Sequence, residues 1–171
     1  VPAQYLLPGA LKWLGLDLGQ SMTAIILAIW GLGLWGYLRL FRVFGFSEWT
    51  CWASLALIFS QPFVLGYARF YHGGELLQWG YFPWFVVLAL HSLDLKWIRL
   101  PLIMIAFCAG VFLKSSFLIL GTLTLVTIFV IRWRDRGYRV TAESILDGLK
   151  LGLVFAGAAF ALAAYSAMGE S

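Results

Sequence analysis

The chain has 171 residues, 62% of them hydrophobic and 12% charged, with a net charge of +4. A water-soluble domain of this length has too little interior to hide so much apolar surface, so the solvent for most of it must be lipid. The surplus of base over acid does not mark a nucleic-acid binder, because the basic residues stand at the ends of apolar stretches, where they set membrane topology.

The expected fold is all-α: a polytopic transmembrane helix bundle forming a single domain over residues 1–171. Residues 1–20, VPAQYLLPGALKWLGLDLGQ, predict a half-helix on the outer membrane surface. Pro8 suits a first helical turn, and Leu11, Leu14 and Leu16 stand beside Lys12 and Asp17. Charged residues then divide the chain. Asp17 to Arg39, Glu48 to Arg69, Glu75 to Asp94 and Lys150 to Glu170 each enclose roughly 18 to 21 uncharged residues, enough for one helical crossing. Membrane helices are expected at 21–44, 48–66, 76–93, 100–113, 116–131 and 145–168.

The interval from Arg99 to Arg132 decides the count. Within it FCAGVFLKSSFLIL, residues 107–120, places Lys114 in the middle of an apolar run. If residues 100–131 formed one helix, the loop RWRDRGYR would lie outside with Arg132, Arg134, Arg136 and Arg139, against the positive-inside rule. A hinge near Lys114 returns that loop to the inside. The loops at 39–48, 94–99 and 132–141 then share the cytoplasmic side, and the total is about six crossings, two of them short. At a rise of ~1.5 Å per residue a 14-residue helix covers only about 21 Å. Such a hinge lies inside protein or beside water, where Ser115 and Ser116 can serve freed backbone groups.

Smaller signals complete the pass. Gly73 and Gly74 predict a flexible turn, and Trp79, Tyr81 and Trp84 an interfacial belt. Thr141 can cap a helix that starts at Ala142, with Glu143 in its first turn. Cys51 and Cys108 match no metal or haem spacing and read as buried thiols. The opening at Val1 without an initiator methionine is as expected of a piece of a longer chain.

The candidate site residues are Lys114, Arg69, Ser115, His72 and Glu75. A buried ammonium is costly in hydrocarbon, so Lys114 either snorkels from a shallow hinge or faces an anion in a polar cavity. Arg69, His72 and Glu75 share one outer segment and, at helical spacing, one face. They read either as a phosphate or acceptor contact or as charges that simply face water. His72 and His91 stand at opposite ends of one span, about 28 Å apart at 1.5 Å per residue, and cannot ligate one metal. Either alone could hold a pigment or haem, though an interfacial histidine with a polar partner is the commoner case. No metal site is expected from these residues.

The order of features is familiar. A Pro-led half-helix ends in LKWLGLDLGQS, a membrane helix ends in LRLFRVFGFS, another ends in QPFVLGYARFYHGGE, and a short one contains AGVFLKSSFLIL. Nearly the whole chain resembles the GT-C superfamily of polytopic glycosyltransferases, specifically the protein-mannosyltransferase and aminoarabinose-transferase type. Tyr67-Ala68-Arg69 with Glu75, and Gly110-Val111-Phe112-Leu113-Lys114, are similar to two outer-side stretches of that family. Glu75 falls one or two residues late. The resemblance implies a polyprenyl-phosphate sugar as ligand, phosphate contacts at Lys114 and Arg69, a divalent metal as one option for the departing phosphate, and the bacterial inner membrane as location. The family's catalytic acid would precede Val1, so no catalytic residue is assigned here. The rival expectation is a non-catalytic scaffold that packs with lipids and other subunits in a respiratory or photosynthetic assembly. No nucleic-acid partner is expected.

Overall fold

The computed structural model describes residues 3–69, 74–92 and 99–169, which form helices and the turns between them. In chain order these are α1 (Ala3–Trp13), α2 (Leu18–Val43), α3 (Glu48–Phe59), α4 (Pro62–Arg69), α5 (Gly74–Ser92), α6 (Leu100–Leu113), α7 (Phe117–Asp135) and α8 (Ala142–Gly169). There is no strand among the described residues. Among the described residues three helical stretches are long and apolar enough to cross a membrane: α2, α7 and residues Ala142–Ala164 of α8. At most 33% of the apolar window of any of them is buried, so most of their surface faces outward. That surface carries Leu27, Leu32, Trp35, Ile119 and Phe160, all exposed, as helices in lipid require.

Local chemistry explains most helix boundaries. Asp17 opens α2 with a reciprocal capping box. Its carboxylate accepts from the Gln20 N–H at 2.9 Å, and the Gln20 side chain accepts from the Asp17 N–H at 3.3 Å. Gly45 closes α2 at φ +75°, and the Phe46 N–H reaches back to the Phe41 carbonyl at 3.1 Å. Thr141 caps α8, as the sequence predicts, and its partner three residues on is Ser144. The Thr141 N–H donates to Ser144 Oγ at 2.8 Å, and the Ser144 N–H to Thr141 Oγ1 at 3.3 Å.

Several boundaries differ from the sequence expectation. Helix α1 begins at Ala3, so Pro8 lies inside it and not in its first turn. The ring then forgoes a bond to the fourth preceding carbonyl. Residues 48–66, expected as one helix, are interrupted at Ser60 and Gln61. Pro62 has no N–H to continue α3 and disfavours helical backbone in the residue before it. Ser60 Oγ and Gln61 Nε2 both donate to the Leu57 carbonyl, at 3.0 and 3.1 Å, which closes α3. Helix α7 runs 19 residues to Asp135 and is long enough to cross, where a short helix over 116–131 is expected. Arginine is a good helix former, so the charge boundary at Arg132 does not end the helix.

The chain divides into two compact units, Val1–Val87 with Phe112–Lys114, and Leu88–Val111 with Ser115–Ser171. The first is built on α2 and α5. Ile25, Ile26 and Ile29 pack against Leu76 and Leu77. A Cβ on Gly80 would lie 3.0 Å from the Ile29 carbonyl oxygen, and one on Gly36 would lie 2.8 Å from the Pro83 ring. The Trp84 indole N–H donates to the Leu32 carbonyl at 3.0 Å. Pairing advances in the same direction along both helices, so α2 and α5 run parallel. In the second unit Phe107 and Phe117 meet edge to face at 6.3 Å, and their rings cover Gly110 and Gly121. That packing closes the turn between α6 and α7.

Candidate functional site

Helix α5 starts where α6 ends. A Cβ on Gly74 would lie 2.9 Å from the Leu113 carbonyl oxygen and 3.4 Å from Lys114 Cβ. Backbone touches backbone there, so only glycine fits without a shift. That approach sets Glu75, in the first turn of α5, beside Lys114, one residue past the end of α6. Lys114 Nζ donates to Glu75 Oε1 and forms an ion pair with it. Each charge also stands at the helix end that favours it, the carboxylate at an N-terminus and the ammonium at a C-terminus. The pair is half-buried, its side chains 28% and 42% exposed for lysine and glutamate. A counter-ion from another helix therefore holds the charge inside the apolar run.

An apolar groove of about 560 Å³ adjoins this point. Leu7 of α1, Ile29 and Leu32 of α2, Leu77 and Tyr81 of α5, and Leu113 of α6 line it. Trp35 and Trp84, edge to face at 5.0 Å, complete its wall. Leu113, the residue before Lys114, is part of its lining, whereas Lys114 and Glu75 are not. The arrangement can hold an apolar chain with a charged group at one end.

The other predicted residues fall as follows. Arg69 is the last residue of α4. His72 and the Arg69 side chain lie outside the described residues. Ser115 is exposed, and its carbonyl accepts from the Leu118 N–H at 3.0 Å. The Ser116 side chain makes no cap bond to α7, whose first turn is instead served by main-chain carbonyls. His91 lies at the end of α5, and its carbonyl accepts from Arg99 at 2.7 Å. Among the described residues no group of His, Cys, Asp or Glu is arranged to hold a metal ion.

Two of the three expected belt residues, Trp79 and Trp84, make ring contacts within the first unit. Trp79 lies among Phe59 at 4.9 Å, Tyr37 at 5.5 Å and Trp30 at 5.9 Å. Trp84 meets Trp35 and carries the Arg39 guanidinium 5.9 Å from its ring centre. Composition could not separate a belt from a core because both draw on the same residues.

The sequence reading passed over a second charged cluster. Asp147 and Lys150 of α8 are buried, at 8% and 5% exposure. Asp147 accepts from Arg136 at 3.0 Å, with Arg132 at 3.9 Å and Lys150 at 3.8 Å also paired to it. Glu143 adds a contact to Arg136 at 3.7 Å. The signal was present: Glu143, Asp147 and Lys150 stand four and three residues apart, one face of a helix. The cluster ties α7 to α8 and gives the arginine-rich turn a structural role.

Together these features define a membrane protein, helical in its described residues, with a charged pair beside a residue that lines an apolar groove. No family model matches the chain, and neither a curated protein nor a solved structure matches it at a significant level.

Proposed function

We propose that the chain is a membrane-embedded, glycosyltransferase-like protein of GT-C type that handles a polyprenyl-phosphate-linked sugar, in a bacterial inner membrane and with about six crossings. The observation that carries this reading is the apolar groove whose lining includes Leu113, with Lys114 next along the chain. A polyprenyl tail suits the groove, and an ammonium suits a phosphate oxygen. Gly110 to Lys114 is also one of the two stretches that carry the family resemblance. In this reading Arg69, His72 and Ser115 add donors around the phosphate. Glu75 is the counter-ion of Lys114 and not the base that activates an acceptor. The test is binding of undecaprenyl phosphate to the full-length protein in nanodiscs. Lys114→Met should weaken it by roughly 1–3 kcal/mol, the scale of a lost charged hydrogen bond. Unchanged affinity would remove the phosphate contact and with it the function proposed.

A second reading, a non-catalytic scaffold within a larger membrane assembly, draws on α8. A Cβ on Gly152 would meet nothing within 4 Å, so that part of its small-residue face is left open for a neighbouring helix. Co-purification of stoichiometric membrane subunits, with no glycosyl transfer by the full-length protein, would favour it.

A further inference from the structure

We infer that Glu75 is a stand-in for the ligand's anion. It holds the Lys114 ammonium while the groove is empty and gives it up when the phosphate of a membrane lipid arrives, the lipid's chain lying along the groove. This rests on the reading of Lys114 as a phosphate contact and adds a role for its partner.

Three observations carry it. First, the pair is not sealed. With 28% and 42% of the two side chains exposed, a second anion can approach the ammonium, and the carboxylate can turn away without being stranded in apolar surroundings. Second, the helix ends are positioned by something other than the pair. The Gly74 and Leu113 backbones are in contact, and Leu76 and Leu77 are buried against α2, so the ion pair can open while Lys114 stays in place. Third, Leu113 lines the groove and Lys114 follows it directly, so a lipid chain seated against Leu113 has the ammonium one residue away. An uncompensated ammonium at the rim of an apolar groove is costly, and an ammonium satisfied by Glu75 is not. The carboxylate thus keeps the empty site stable and competes with every anionic headgroup. Affinity is then the difference between two ion pairs, and removing the internal one should tighten binding.

The test uses the purified full-length protein in phosphatidylcholine nanodiscs titrated with undecaprenyl phosphate. Glu75→Gln keeps the shape and removes the charge. It should bind roughly tenfold more tightly than wild type, as expected when a competing charged bond is lost. Glu75→Asp should stay near wild type. Lys114→Met should bind more weakly, and adding Glu75→Gln to it should restore nothing. Undecaprenol, which lacks the phosphate, should bind both the wild type and Glu75→Gln alike. If Glu75→Gln binds no tighter while Lys114→Met binds more weakly, the stand-in role is overturned and the phosphate contact stands. If Lys114→Met has no effect, the underlying reading fails. Inorganic phosphate that gains as much from Glu75→Gln as the lipid does would overturn the assignment to a lipid. Should Glu75→Gln not fold, wild-type protein labelled with 13C at glutamate carboxylates gives the answer by infrared difference. A carboxylate shift on adding undecaprenyl phosphate is expected, and its absence overturns the proposal.

Discussion

Asp147 of α8 accepts a hydrogen bond from Arg136, just past the end of α7, at 3.0 Å, with only 11% of its own side chain exposed. The same carboxylate serves Arg132 and Lys150, so one acid organises three cations. Asp147→Asn would remove the buried charge that these cations share. A loss of about 3 kcal/mol in stability is expected, as for a buried ion pair broken from one side. Glu143, with 78% of its side chain exposed, is the control. Glu143→Gln should cost no more than about 0.5 kcal/mol. Unfolding in mixed detergent, followed by circular dichroism, measures both.

Glycines in α2 and α5 should respond unequally to alanine. At Gly80 a methyl group would press on the Ile29 side chain and stand 3.0 Å from its carbonyl oxygen. Gly80→Ala should destabilise the α2–α5 packing by about 1–3 kcal/mol, the usual cost of overpacking. A methyl group at Gly31 would meet nothing within 4 Å. Gly31→Ala should be neutral or stabilising by up to about 1 kcal/mol, the helix-propensity difference. Equal thermal shifts for the two variants would contradict the packing described here.

The Asp17 cap offers a cleaner local test. Asp17→Ala removes the acceptor for the Gln20 N–H and should cost about 1 kcal/mol, seen as fraying of the first turn of α2 in hydrogen exchange. Gln20→Ala removes only the weaker reciprocal bond and should cost less.

Sidedness can be read with an impermeant thiol reagent in a background lacking Cys51 and Cys108. Cysteines at Ser47 and Arg139, in the turns after α2 and α7, should label from the same side. A cysteine at Ser115 should label from the opposite side. Labelling of all three from one face would remove the hinged topology, and with it much of the case for the proposed function.

Much of the fold was legible without coordinates. Composition alone selects lipid as solvent, because no small core hides so apolar a chain. The apolar runs fix where α2, α6 and α8 lie, since a helix satisfies its own backbone in hydrocarbon whatever its neighbours do. The interruption between α6 and α7 could also be read, from Lys114 within an apolar run and the arginine-rich loop that follows it. The interruption between α3 and α4 is also written in the sequence, as Ser60-Gln61-Pro62, within a run apolar enough to look continuous.

Tertiary structure alone decided who meets whom. Glu75 and Lys114 are 39 residues apart, and no periodicity links them. Their pairing depends on where the end of α6 meets the start of α5, an approach permitted by the missing Cβ of Gly74. The same holds for the ring contacts of Trp79 with Tyr37 of α2 and Phe59 of α3, which no local pattern links. A sequence reports the local terms of the free energy, namely burial tendency, caps and charge placement. Long-range pairing is set by which helix faces fit one another, and that fit is a property of the folded chain as a whole.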